Sequence, residues 1–148
     1  MLNRKAVDET VNQAADALGG LNFLLNNAAA PGGLPAAVGR IETTVDEDFL
    51  SDFDTKYMGA LRLTRAAIPH LKKAGWGRII TISGSSARTP GNLTSGARNT
   101  SLVHFTRTLA LQFGRDGITV KCIRHPNRTL GRSAGRTVQE TRPPAQGN

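Results

Sequence analysis

Apolar positions recur every three or four residues from Arg4 to Leu18, with Val7, Val11, Ala14 and Leu18 on one face. This predicts a helix, and Gly19-Gly20 supplies its stop. Leu21 to Asn26 is a short apolar run that reads as a strand. After a loop marked by Pro31, Gly32, Gly33, Pro35 and Gly39, helical spacing returns at Phe49, Phe53, Tyr57, Ala60, Leu61, Thr64, Ala67, Ile68 and Leu71. Thr44 is placed to cap that long helix with Glu47 in a capping box, and Pro69 should bend or end it. Arg78 to Ser83 is rich in Ile and bounded by Gly77 and Gly84, the pattern of a strand buried on both faces. A loop rich in Ser, Gly and Pro leads into a third helical pattern carrying Leu102, Phe105, Leu109 and Phe113. Gly114 to Gly117 is a turn, and Ile118 to Ile123 a third strand.

Helix and buried strand alternate, which predicts an α/β fold with a parallel sheet. The specific expectation is a partial Rossmann-like three-layer α/β/α domain of about three strands and three helices over 1–126. Beyond Pro126 the periodicity stops, and 127–148 reads as a basic, disordered tail.

Charge adds one fact to this picture. The net charge is +8, and from Lys121 onward six Lys or Arg stand against one Glu, so the excess belongs to the tail. Arg124, Arg128, Arg132 and Arg136 would line one face of a helix, but Pro126, Gly131 and Gly135 oppose that helix, and aromatic stacking residues are absent. A solvated tail is the better reading, and nucleic acid is not expected as a partner. No run is long and apolar enough to span a membrane, and MLNRKAVDET lacks the core of a secretory leader, which sets a cytoplasmic expectation. The single Cys122 allows no internal disulfide and reads as a small buried hydrophobe. No metal site is expected.

Three stretches together carry a family likeness: LNFLLNNAA (Leu21 to Ala29), FDTKYMGALRLTRAAIPHL (Phe53 to Leu71) and GRIITISGSSARTPGNLTSGARNTSLVHFTRTLALQFG (Gly77 to Gly114). Their order resembles the central part of a short-chain dehydrogenase/reductase, from about Asn12 to about Pro126. The resemblance implies an NAD- or NADP-dependent oxidoreductase with a Rossmann-type sheet. It also implies a glycine-rich TGxxxGxG turn ahead of the Arg4 helix, so the chain reads as a truncated member.

The resemblance further implies a reaction set: a Tyr as proton donor, a Lys four residues on that lowers its pKa and holds the ribose, a strand-end Ser, and an Asn on the long helix. Those positions fall on Ser95, Asn99, Gly84 and Lys56. Ser95 is too weak an acid, and Asn99 has no charge with which to lower a pKa. Ser85 could substitute for Gly84 by a small shift of register. Lys56 could donate a proton if burial depressed its pKa, although a solvated Lys is the commoner outcome. Arg98 more often marks a salt-bridged helix face, and His70 and His104 read as surface or capped residues, whereas His125 lies nearer the cleft. Asn26-Asn27-Ala28 keeps most of the family's NNAG turn. Its two readings stay open: lining the adenosine pocket, or satisfying groups at a strand end.

Two function classes follow. One is an oxidoreductase by descent that is catalytically impaired. The other is a non-catalytic interaction module, forming a homo- or hetero-oligomer through the helices beginning near Thr44 and Ser95.

Overall fold

The computed structural model describes residues 3–29, 34, 37 and 39–125. Helix α1 (Arg4–Ala17) leads into strand β1 (Phe23–Asn26). Helices α2 (Asp46–Phe53) and α3 (Gly59–Lys73) are joined by a π-turn, Asp54–Met58, into one long helical run. Strand β2 (Gly77–Gly84), helix α4 (Leu93–Phe113) and strand β3 (Ile118–His125) complete the fold. The strands lie in the order β1-β2-β3, and both pairs are parallel. This is the expected partial Rossmann-like α/β architecture. Pro31, Gly32, Gly33 and Pro35 of the expected loop, and the whole expected tail 127–148, lie outside the described residues.

Helix α1 starts where Asn3 accepts a hydrogen bond from the Lys5 amide, and it buries Val7, Val11 and Ala15. Ala14 and Leu18 face solvent instead, because the buried stripe steps by four along the helix. The long helix begins two residues later than its Thr44 signal. The Thr44 hydroxyl turns back to donate to the Arg40 carbonyl, and Val45 takes the cap position with no side-chain bond. Asp46, Glu47 and Asp48 still favour the first turn through the helix dipole. Pro69 is carried inside α3, which runs on to Lys73. In α4, Asn92 caps the helix by accepting from the Ser95 amide, so the helix starts ahead of Ser95.

The core lies on one face of the sheet. Ile79 from β2 and Ile118 and Val120 from β3 meet Ala60, Ala67 and Leu71 of α3 and Leu102, Phe105 and Leu109 of α4. Helix α1 stacks on α3 through Val11, and the His70 ring bonds the Asn12 side chain at 2.8 Å. The opposite face is bare among the described residues. Phe23 and Leu25 are 62% and 59% exposed, and β2 alternates buried with half-buried positions rather than burying both faces. Ile80 and Ile82 are the half-buried ones, since no described helix covers that side. Cys122 on β3 is likewise half-buried and free rather than fully buried.

Candidate functional site

The carboxyl ends of β1 and β2, the π-turn and the start of α4 meet at one place. In open α/β sheets this is the end where ligands bind. The π-turn matters because its extra residue per turn re-aims the side chains that follow, and such turns concentrate at working sites. Lys56 sits in the middle of it.

A buried ion pair anchors the site. Asp52 of α2 is fully buried, and its two carboxylate oxygens are both engaged, one by the Arg98 guanidinium and the other by the Thr94 hydroxyl. Arg98 is itself buried and also donates to the Ser95 hydroxyl at 3.3 Å. Arg98 therefore ties α4 to α2 from the interior instead of marking a solvated helix face. Burial removes both ions from water, and the charge-assisted bonds offset that cost.

Asn99 fills the space next to it. Its side-chain nitrogen donates to the Ser86 hydroxyl at 2.8 Å, and its backbone carbonyl accepts from Ser83 at 3.1 Å. A Cβ added at Gly84 would meet that same side-chain nitrogen at 2.8 Å. Gly84 and Asn99 thus fit each other by the absence of a side chain at one and a short amide at the other. The Ser85 hydroxyl, buried beside them, has no hydrogen-bond partner among the described residues, and neither has the Asn99 side-chain carbonyl.

Lys56 is half-buried rather than solvated, and it lines a narrow cleft with Asn26, Ala28, Ala60 and Leu102. Its pKa is lowered, first by burial and then by the Arg98 guanidinium, against opposing pulls from Asp52 and Cys122. Asn26 is buried and donates to the Thr64 hydroxyl at 3.1 Å, a helix side chain rather than a backbone group at the strand end. Asn27 and Ala28 are exposed at the strand end. His104 is exposed, and the side chain of His125 lies outside the described residues.

The structure packs Gly84 against Asn99 and links Ser95 through Arg98 to Asp52, while Lys56 lines the cleft with Asn26. Asp52, Thr94 and Ser86 were not legible in advance. Thr94 and Arg98 do stand four apart on one helix face, but nothing local says that their partner lies more than forty residues upstream. Among the described residues, no cluster of His, Cys, Asp or Glu could hold a metal ion.

Parallel strands crossed by helices, with the polar cluster at their carboxyl ends, define a partial Rossmann-type α/β architecture. Within that class the chain belongs to the short-chain dehydrogenase/reductase family. Residues 2–138 match the family model described as enoyl-(acyl carrier protein) reductase. A (2S)-[(R)-hydroxy(phenyl)methyl]succinyl-CoA dehydrogenase subunit of Thauera aromatica is 32% identical over 126 residues, covering 82% of this chain and 47% of that protein. A dehydrogenase/reductase structure from Sinorhizobium meliloti is 29% identical with a TM-score of 0.74, covering 84% of this chain and 48% of the other. An NAD+-bound xylitol dehydrogenase superposes with a TM-score of 0.76 at 24% identity, covering 84% of this chain and 47% of the other, and this likeness is one of fold. The chain spans about half the length of the curated relatives it matches.

Proposed function

We propose that this chain is an oxidoreductase-family protein that has lost its own means of carbonyl reduction. The observation that carries the reading is the closed contact between Gly84 and Asn99. The positions that should hold the strand-end hydroxyl and the ribose-binding ammonium are instead occupied by an amide bonded to Ser86. Arg98, which donates to the Ser95 hydroxyl, is committed to Asp52 and cannot act as an acid. Ser85 and Lys56 remain as candidate reacting groups, and neither reproduces a tyrosine held near neutrality by an adjacent ammonium.

The relatives bear dehydrogenase names, and one solved neighbour holds NAD+. NAD or NADP is therefore the cofactor class to test. The fit is uneven. Asn26, Asn27 and Ala28 leave an open strand end that suits the adenosine side, whereas the reacting end is filled by Asn99. The test is direct: the full chain is mixed with NADH or NADPH and a ketone panel, and nucleotide oxidation and Trp76 fluorescence are followed. The expected result is no turnover and no micromolar titration. Turnover by this chain alone overturns the reading.

A second reading, an interaction module, is supported by an open apolar groove of about 340 Å³ between α3 and α4, lined by Leu61, Ile68, Phe105, Leu109 and Phe113. A contiguous apolar groove on a helical face is a surface that association would cover. Light scattering of the purified chain decides it: a dimer or larger species supports this reading, and a strict monomer that no intact relative captures removes it. Among the described residues, no helix is long and apolar enough to cross a membrane.

A further inference from the structure

The sheet has two faces, and the described residues cover one of them. Residues paired across parallel strands share a face, so the register sorts them. Leu24, Ile79 and Val120 form a row in the core, and Leu25, Ile80 and Lys121 form the next row on the opposite side. Phe23, Arg78 and Thr119 stand before that row, and Ile82 with Ile123 after it. Phe23, Leu25 and Ile123 are exposed, and so is Trp76, whose ring meets Phe23 edge-on at 5.6 Å. Parallel sheets are ordinarily covered on both faces, and apolar side chains held side by side at strand spacing make one continuous patch.

Its dimensions and charge specify what fits. Three strands about 4.8 Å apart make a strip about 10 Å wide, the width of a single α-helix. From Arg78 to Ile82 along β2 is about 13 Å, between two and three helical turns. The strip carries two cations, Arg78 and Lys121, and no carboxylate. The Arg78 guanidinium is held by the Gly77 and Gly117 carbonyls and lies 5.3 Å over the Trp76 ring. Neither Arg78 nor Lys121 makes an ion pair among the described residues. A second copy of this face would set cation against cation. Residues 126–148 would do the same, with Arg128, Arg132, Arg136 and Arg142 against Glu140, and they offer little beyond Leu130 and Val138 as large apolar side chains.

We propose that this face docks one amphipathic helix of a partner protein. The helix is apolar on the stripe that meets Phe23, Leu25, Ile80 and Ile123, and acidic where it meets Arg78 and Lys121. Burial of the apolar stripe supplies the attraction, and the two cations reject helices of the wrong charge. The face lies across the sheet from the α3–α4 groove, and its occupancy does not depend on carbonyl reduction.

The experiment uses the full chain and a synthetic peptide of about 18 residues, long enough to hold a helix, with leucines on one stripe and glutamates elsewhere. A lysine counterpart and a scrambled glutamate peptide are run beside it. Trp76, the chain's single tryptophan, reports from the rim of the patch through its fluorescence. The glutamate peptide should give a saturable blue shift and bind more tightly than both controls. Lys121→Glu should weaken it roughly fivefold or more and improve the lysine counterpart. Lys5→Glu, the same change in net charge at an exposed site on α1, should leave it unchanged. Equal losses in the two variants would mean attraction to net charge alone and overturn the proposal. So would a chain that binds none of the peptides, or binds the scrambled one as well. A dimer seen by light scattering that Ile123→Asp dissociates would make a second copy the occupant, and the proposal fails on that result too.

Discussion

The side-chain nitrogen of Asn99 lies 2.8 Å from the point where a Cβ on Gly84 would stand. Asn99 as it stands excludes a side chain at 84. A serine there would push into an amide held by Ser86. Restoring a side chain at 84 alone therefore meets a steric cost.

That contact gives the first prediction. Gly84→Ser should destabilise the fold by about 1–2 kcal/mol through overpacking. Asn99→Ala should recover most of the loss in the double variant, because the carboxamide that blocks residue 84 is gone. Urea midpoints of the wild type, both single variants and the double variant measure the coupling. Strictly additive effects would show that the contact is not shared.

The Asp52–Arg98 pair makes a stronger claim. Breaking a buried pair leaves a lone ion in the interior, which costs about 3–5 kcal/mol, whereas replacing both partners with apolar groups is often tolerated. Asp52→Asn should strand the Arg98 guanidinium and lower the urea midpoint sharply. Asp52→Leu with Arg98→Met should be less harmful than either single change. Thr94→Val, which removes one donor to the carboxylate, should cost about 1–2 kcal/mol.

Much of the fold was legible because helix and strand periods differ, and the apolar positions of α1, α3 and α4 keep theirs. The π-turn was not legible. Phe53, Tyr57, Ala60 and Leu61 satisfy helical spacing whether or not one residue is inserted, so nothing in the pattern marks Asp54–Met58. Family resemblance assigned Gly84, Ser95, Asn99 and Lys56 to the motif positions, and of these Lys56 lines the cleft while Gly84 packs against Asn99. Their environments were not legible, because burial of a charge depends on its partners. Arg98 is buried since Asp52 meets it across the helix interface, and no local rule links residues 46 positions apart. Lys56 is half-buried within the π-turn, whose presence the apolar spacing does not reveal.

Lys56 makes a prediction for stability. Its folded pKa lies below the ordinary 10.5, so between the two values the unfolded chain holds more protons than the folded one. Stability therefore rises with pH across that window. Below the folded pKa, the penalty of keeping a charged amine half-buried is fully present. Above the unfolded value it is gone. Lys56→Met should raise the Tm at pH 7 and raise it by less at pH 10.5. An equal effect at both pH values would mean that the gain comes from packing and not from the charge.

The turn into β3 offers a backbone test in which two neighbouring glycines should behave oppositely. Gly117 follows the turn Gly114–Asp116 with φ of 71° and ψ of 12°, the left-handed region that side chains disfavour. An added Cβ there would also meet the Gly75 carbonyl oxygen at 2.6 Å. The contact cannot be relieved by a rotamer change, because the obstacle is backbone, and the Gly117 carbonyl itself accepts from the Gly77 amide that aligns β2 with β3. Gly117→Ala should therefore combine left-handed strain with a clash and cost more than about 1 kcal/mol. Gly114 has φ of −59° and open space around its Cβ position. Gly114→Ala should be neutral or stabilising by about 0.4–1 kcal/mol, since it restricts the unfolded chain at no native cost. Thermal unfolding of the two variants side by side checks both signs. A Gly117→Ala variant as stable as Gly114→Ala would mean that β3 enters the sheet by another path.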